Sequence, residues 1–503
     1  MIKKVVKNSV FGLVLQIFVV LLNIPIRYFF ISGIGIEWLG INETMSSVIA
    51  SFSLAELGLN SIIGYYLYEP IVKKDTEKVN VIVNIYKVIY RWIGCFVIIV
   101  SIIMLPFLKY ILKGVEINAL VYIVFGLLVT NTVFSYFLSY RRVLLEADQK
   151  QYIQSRLELL LTLLFSALQL LVLIYAKDYF LFLLLQLLRT IISNIIIHII
   201  CGREYRYLKK CKVKWEEIKS VFSDLKNAAG IKIASYVYCN TDNIIISALV
   251  STSTVGYLSN YVIISNYIKN LIRSILYPIY PTIGNVIAEK KHDKNNIFEI
   301  YYFVAFVILG VFIVPMTVLA DFFVEGFFGQ QYTLHSAVII LLSLDCILDT
   351  LQIPIASFIN GSGLFRIENR ICIVGAFVNL FTSLLLVQKY SFYGVLLGTV
   401  ISQFVFMILR TYALFKYCIG CERKKIIKHC YLTIKVFITL VATMVIAQFC
   451  FKWIANLPFV WCFIFKGIMC EVLFALSVCI LWGKNTVLKL VINYLLRTKR
   501  KEK

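Results

Sequence analysis

Uninterrupted apolar runs of span length recur along this chain, among them Val10–Ile31 and Ile93–Leu108. A helix crosses the hydrocarbon core of a bilayer with about 20 such residues. Inside lipid every backbone amide needs an internal partner, which leaves only helices and closed barrels. Barrel strands alternate apolar with polar residues, and these runs do not. The composition agrees: 60% of the 503 residues are hydrophobic, 15% are charged and the mean hydropathy is +0.85. A soluble domain is nearer half apolar and about a quarter charged. The expected class is therefore an all-α polytopic membrane protein. Spans fall near residues 10–31, 42–68, 86–108, 117–140, 157–176, 179–200, 229–250, 255–284, 298–320, 335–359, 371–388, 392–415, 433–451 and 459–482, about 14 transmembrane helices.

The net charge of +23 would point to nucleic acid in a soluble chain. Here its placement gives another meaning, and no nucleic-acid partner is expected. The alternate segments 1–9, 69–85, 141–156, 201–228, 285–297, 360–370, 416–432 and 483–503 hold 35 Lys and Arg residues. The loops between them hold five: Lys109, Lys113, Lys177, Lys389 and Lys452. Basic loops stay in the cytoplasm, so both termini are expected there, and the span count should be even. The apolar run after Lys3, Lys4 and Lys7 reads as the first helix; it is too long for a signal peptide and lacks a small-residue cleavage site.

The basic loops also repeat. "VKKDTEKV" from Val72 has a counterpart in "EKKHDKNN" from Glu289, the surroundings of Lys150 return at Arg366, and segment 203–214 returns at 416–428. The spacing suggests two pseudo-symmetric six-helix lobes, 1–200 and 229–415, joined by a basic cytoplasmic linker, 201–228. Residues 416–503 then add a basic loop, two C-terminal helices and a basic tail. Transporters built from parallel repeats hold their cargo between the halves. The linker's eight basic residues suit either a solvated orientation signal or contact with anionic membrane lipids.

Charges inside the spans carry the functional question. A charge at mid-bilayer costs about 2.5–3.5 kcal/mol on insertion scales. Such residues face a bundle interior and default to a functional reading. The deeper ones are Arg27, Glu56, Arg189, Asp242, Lys269, Arg273, Asp345 and Asp349. Seven of the eight fall in polar stripes at helical spacing: Gln16, Asn23 and Arg27; Ser53, Glu56 and Asn60; Gln186, Arg189 and Ser193; Asn266, Lys269 and Arg273; Asp345, Asp349 and Gln352. One polar stripe per helix points toward a wet interior. Three readings follow. The cations await an anionic cargo, or they cancel against carboxylates, Arg27 with Glu56 and Lys269 or Arg273 with Asp345 or Asp349. In the third, Lys269 and Arg273 snorkel to the interface, since Pro278 and Pro281 are placed to end their helix early.

Several stretches together resemble a known family. They are "RYFFISGIGIEWLGIN", "AELGLNSIIGYYLYEP", "EADQKQYI", "NTDNIIISALVSTSTVGYLSNYVII", "NGSGLFRIENR" and "FYGVLLGTVIS", in order from residue 27 to about 403. This pattern resembles the bacterial polysaccharide flippases of the multidrug/oligosaccharidyl-lipid/polysaccharide exporter superfamily, which export undecaprenyl-diphosphate-linked oligosaccharide units. The last two spans carry no matching motif. The resemblance implies alternating access in the bacterial cytoplasmic membrane, with cavity cations in the first and eighth spans holding the diphosphate. On that basis Arg27, Lys269, Arg273 and Arg189 are assigned to the diphosphate. Glu56, Asp242, Asp345 and Asp349 are assigned to charge pairing or to a coupling ion, H+ or Na+. The implied partners are the lipid-linked oligosaccharide, membrane lipids and the polymerase and glycosyltransferases of the pathway.

No catalytic residue, cofactor or metal is expected. Cys418 and Cys421 form a CxxC near His429 and Cys430, but a single such pair is common in a chain with 13 cysteines. Gly483-Lys484 lacks the earlier glycine of a phosphate-binding loop, so ATP is not spent here. The rival readings are an ion-coupled multidrug exporter of the same fold and an integral-membrane glycan polymerase or glycosyltransferase. The short outer loops, the largest being 321–334, leave an enzyme little room for catalytic residues.

Overall fold

The computed structural model describes residues 2–52, 59–148, 150–209, 240–280, 294–451 and 458–483, with Ile283 and Ile287. Two compact units divide the chain, Met1–Gly256 and Tyr257–Lys503. All regular structure among the described residues is helical, and ten helices are long and apolar enough to cross a membrane. The protein is a multi-pass membrane protein.

Unit 1 holds α1 (Ile2–Gly33), α2 (Ile36–Phe52), α3 (Leu59–Lys73), α4 (Thr76–Met104), α5 (Ala119–Ser139), the short α6 (Arg142–Ala147), α7 (Gln151–Leu171), α8 (Tyr179–Glu204), α9 (240–249) and the first residues of α10 (Thr252–Leu276). Their starts follow from local chemistry. Asp75, Asn118 and Asp178 each turn a side-chain oxygen onto otherwise orphan amides at the starts of α4, α5 and α8. α1 packs on α7, and α5 lies between α4 and α8. α2 and α10 cross with backbones touching: a Cβ on Gly40 would lie 2.1 Å from the Thr252 carbonyl oxygen, and one on Gly256 2.4 Å from that of Ile36. Only glycine permits this approach.

Unit 2 continues with α11 (Lys294–Phe328), α12 (Ala337–Gly361), α13 (Phe365–Tyr390), α14 (Phe392–Ala413), α15 (Arg423–Phe451) and α16 (Phe459–Trp482). α12 is its core. In its most apolar stretch 83% of residues are buried, against 11% for α16, which leaves its apolar surface to lipid. α13 and α14 form a tight hairpin, in which a Cβ on Gly394 or Gly398 would collide with the Leu386 or Ser383 backbone. α15 and α16 lie on α11, where Phe306 and Trp482 stack.

Of the span expected near 42–68, residues 42–52 lie in α2 and 59–68 in α3, and residues 53–58 lie outside the described set. One detail differs from the expected spans. α10 gives way at Tyr277–Ile279 to a tighter turn containing Pro278, which has no amide proton to continue the helix.

Candidate functional site

In unit 2 the two cations of α10 meet the two carboxylates of α12. Lys269 and Arg273 are one turn apart, as are Asp345 and Asp349, so the two ladders come into register. Lys269 Nζ pairs with Asp345 Oδ2, and Arg273 Nη2 lies 2.7 Å from Asp349 Oδ2. The first pair is buried, with side chains 12% and 10% exposed; the second is more open, at 37% and 22%.

The polar line continues. Gln403 Nε2 donates to Asp345 Oδ1 at 3.1 Å, and Gln352 Nε2 donates to Gln403 Oε1 at 2.7 Å. Arg410 Nη1 donates to Gln352 Oε1 at 2.7 Å, and Arg410 Nε donates to Glu368 Oε1 at 3.0 Å. Two amides thus wire the Lys269–Asp345 pair to the Arg410–Glu368 pair, while Arg273–Asp349 stands one turn along the same helices. A cavity of about 460 Å³ opens beside them, lined by Tyr277, Tyr280, Asp349, Gln352, Asn360 and Arg410. A buried charge that loses its partner is costly, which explains why each cation of the line has a carboxylate against it.

Unit 1 has a smaller arrangement of the same kind. Arg189 Nη2 lies 3.5 Å and Arg142 Nη2 3.3 Å from the Glu158 carboxylate, which also accepts from Ser193 Oγ at 2.7 Å. Asn194 Oδ1 accepts from Arg142 at 2.7 Å. These side chains, with Gln186, surround a cavity of about 450 Å³. The helical spacing of Gln186, Arg189 and Ser193 does bring them to one face. Arg27 is buried, with Nη1 3.7 Å from Glu43 Oε1 on α2. Glu56, the partner expected for it, lies outside the described residues. Asp242 lies half-buried in α9, where its neighbour Asn243 donates to Ser47 Oγ at 3.0 Å.

Each cation assigned to the cargo therefore has a carboxylate within 4 Å. Sequence reasoning missed Glu43, Arg142, Glu158, Glu368, Gln403 and Arg410. A signal existed for two of them: Gln403 and Arg410 are seven residues apart, hence on one face of α14. Of the residues near the CxxC, Cys418 is buried with its thiol toward the Phe358 carbonyl, and His429 packs against Phe298, Tyr302 and Phe415.

Residues 59–337 match the family model described as "Polysaccharide biosynthesis protein". The chain belongs to that family. Compared with curated proteins by sequence, this family member finds no match. Among solved structures it is similar to the lipid II flippase MurJ in an inward closed conformation, with a TM-score of 0.64 and 12% identity over 95% of this chain and 98% of that one. It is also similar to an inward-facing multidrug resistance MATE family transporter of the MOP superfamily, with a TM-score of 0.58 and 14% identity over 79% and 94% of the two chains. A third likeness is a MOP superfamily transporter from Pyrococcus furiosus, with a TM-score of 0.54 and 14% identity over 82% and 95%. This polysaccharide biosynthesis protein thus shares its fold with these three proteins.

Proposed function

We propose that this protein is a flippase that moves undecaprenyl-diphosphate-linked oligosaccharide units across the bacterial cytoplasmic membrane by alternating access. In this reading it has 14 spans, cytoplasmic termini and the two repeated lobes 1–200 and 229–415. The observation that carries the proposal is the double ion pair between α10 and α12. In place of free cations waiting in a cavity, the cargo meets cations held by carboxylates. The diphosphate displaces Asp349 from the more open Arg273 first, then Asp345 from Lys269. Arg grips two oxygens at once and Lys supplies a point charge. Exchange of one anion for another keeps the buried cations paired throughout, so no step bears the cost of a naked charge. Arg27 and Arg189 are assigned to the diphosphate as well, each released from its own carboxylate, Glu43 or Glu158, by the same exchange.

The displaced Asp345 and Asp349 then need a cation of their own. H+ or Na+ supplies it, which couples cargo entry to ion uptake; Asp242 and Glu56 share this role. The membrane potential adds a force, since about two negative charges leaving an inside-negative cell gain roughly 4.6 kcal/mol per 100 mV. The polymerase and glycosyltransferases of the pathway act before and after this step.

The test keeps charge balanced. The variant Lys269→Gln/Asp345→Asn/Arg273→Gln/Asp349→Asn leaves no orphan ion, so it should reach the membrane at wild-type level while surface polysaccharide is lost. Undiminished polysaccharide on cells carrying it would reduce the double pair to a packing feature. Drug resistance conferred by the native chain, with no effect on glycan, would favour the multidrug exporter.

A further inference from the structure

A third cavity, of about 380 Å³, sits in unit 1 at the end where its basic segments meet. Its walls carry Lys87 and Arg91 of α4, Arg141 from the α5–α6 junction, His198 of α8 and Lys209. Lys87 and Arg91 are one turn apart on a single face. Asn80 and Asn84 fix Lys209 in place: its amide donates to Asn80 Oδ1 at 2.9 Å, and its carbonyl accepts from Asn84 Nδ2 at 2.9 Å. Arg141 is braced by a 3.2 Å bond from Nη1 to the His198 carbonyl.

The chemistry here is one-sided. None of the described lining residues is Asp or Glu. Among the described residues Arg91, Arg141 and Lys209 form no ion pair, in contrast to Lys150 nearby, which meets both Asp148 and Glu204. The Nε of Arg141 and the Nδ1 of His198 are buried without a hydrogen-bond partner. Buried polar groups in proteins are nearly always satisfied, so these two point to a ligand. A solvated orientation signal needs no concave wall, no braced arginine and no orphan nitrogens. Four cations around a chamber of this size suit a compact oxyanion.

We propose that this cavity binds a phosphoryl group, separate from the cargo cations of the preceding reading and independent of it. Arg141 and Arg91 have the planar fork that matches phosphate oxygens, while Lys87 and Lys209 add charge from the rim. The phosphoryl group is the head of an anionic membrane lipid or a phosphate or diphosphate from solution; both present the same oxygens.

The experiment uses the full chain in nanodiscs of neutral phosphatidylcholine. One arm adds phosphatidylglycerol to the disc, and the other adds soluble pyrophosphate. Thermal unfolding and native mass spectrometry of the retained lipid are read for the native chain and for Lys87→Gln/Arg91→Gln. In neutral discs the two proteins should melt alike. Phosphatidylglycerol or pyrophosphate should raise the midpoint of the native chain only. Affinity should fall by roughly thirty-fold in the variant, at about five-fold per cation removed, and high salt should shrink the difference. A response to the lipid alone identifies a headgroup site, and a response to pyrophosphate alone identifies a solution ligand. If the double variant does not fold, Arg91→Gln/Lys209→Gln takes its place, because both residues are exposed. Equal responses of native and variant protein to both ligands overturn the proposal.

Discussion

Lys269, Arg273 and Arg410 in unit 2 each meet a carboxylate, and Gln403 and Gln352 join the first of these pairs to the last, whereas Lys87, Arg91, Arg141 and Lys209 in unit 1 share a cavity whose described walls hold no acid. The difference follows burial. Within a helix such as α12, where most residues are buried, water screens a charge poorly, so the partner must be built into the chain. Around the unit 1 cavity Arg91 and Lys209 are exposed, so water screens their charges. The same residue types therefore play two roles. In the proposed reading the buried pairs open by exchange with the cargo, and the cations of the unit 1 cavity take up a phosphoryl group.

This contrast can be broken by experiment. The largest effect should come from Glu368→Ala, which strands Arg410 in the interior: about 3–5 kcal/mol of stability should be lost, read as a fall in the unfolding midpoint of the purified protein. Glu368→Leu/Arg410→Met should recover most of it. A loss no greater than that of an exposed pair would mean that water reaches this site freely. Glu158→Gln should cost less, about 1–3 kcal/mol, because its side chain is more exposed than that of Glu368 and Ser193 and Asn194 remain as partners for Arg142. The smallest change, within about 1 kcal/mol, is expected for Lys150→Gln, whose pairs with Asp148 and Glu204 lie at the half-exposed rim. There burial opposes the ammonium, but the bonds to Asp148 and Glu204 outweigh it and hold the lysine above its ordinary pKa. Its contribution is present at neutral pH and fades only as pH rises above the usual lysine range.

The sequence allowed the helices to be read because a span is a local pattern: the apolar run near 459–482 coincides with α16, and that near 335–359 with α12. Helix faces were legible for the same reason, as Gln186, Arg189 and Ser193 around one cavity illustrate. Partnership was another matter. Lys269 and Asp345 are 76 residues apart, and periodicity within α10 or α12 says nothing about the register between them. Both aspartates stood as equal candidates until the fold placed one opposite each cation. Glu43 was overlooked because residues 42–68 read as a single span with Glu56 at its middle. Arg410 escaped notice because it lies near the end of an apolar run, where a cation looks like an orientation signal. Its role depends on Glu368, which the α13–α14 hairpin brings alongside.

The central claim is that cations latched by carboxylates carry a diphosphate. Its most direct measurement is flipping of a fluorescent diphosphate-linked glycolipid in vesicles, comparing the native chain with Lys269→Gln/Asp345→Asn/Arg273→Gln/Asp349→Asn. The account predicts flipping by the native protein and only background rates for the variant, with both proteins equally well inserted. Equal flipping by the two, or none by the native chain, would contradict it.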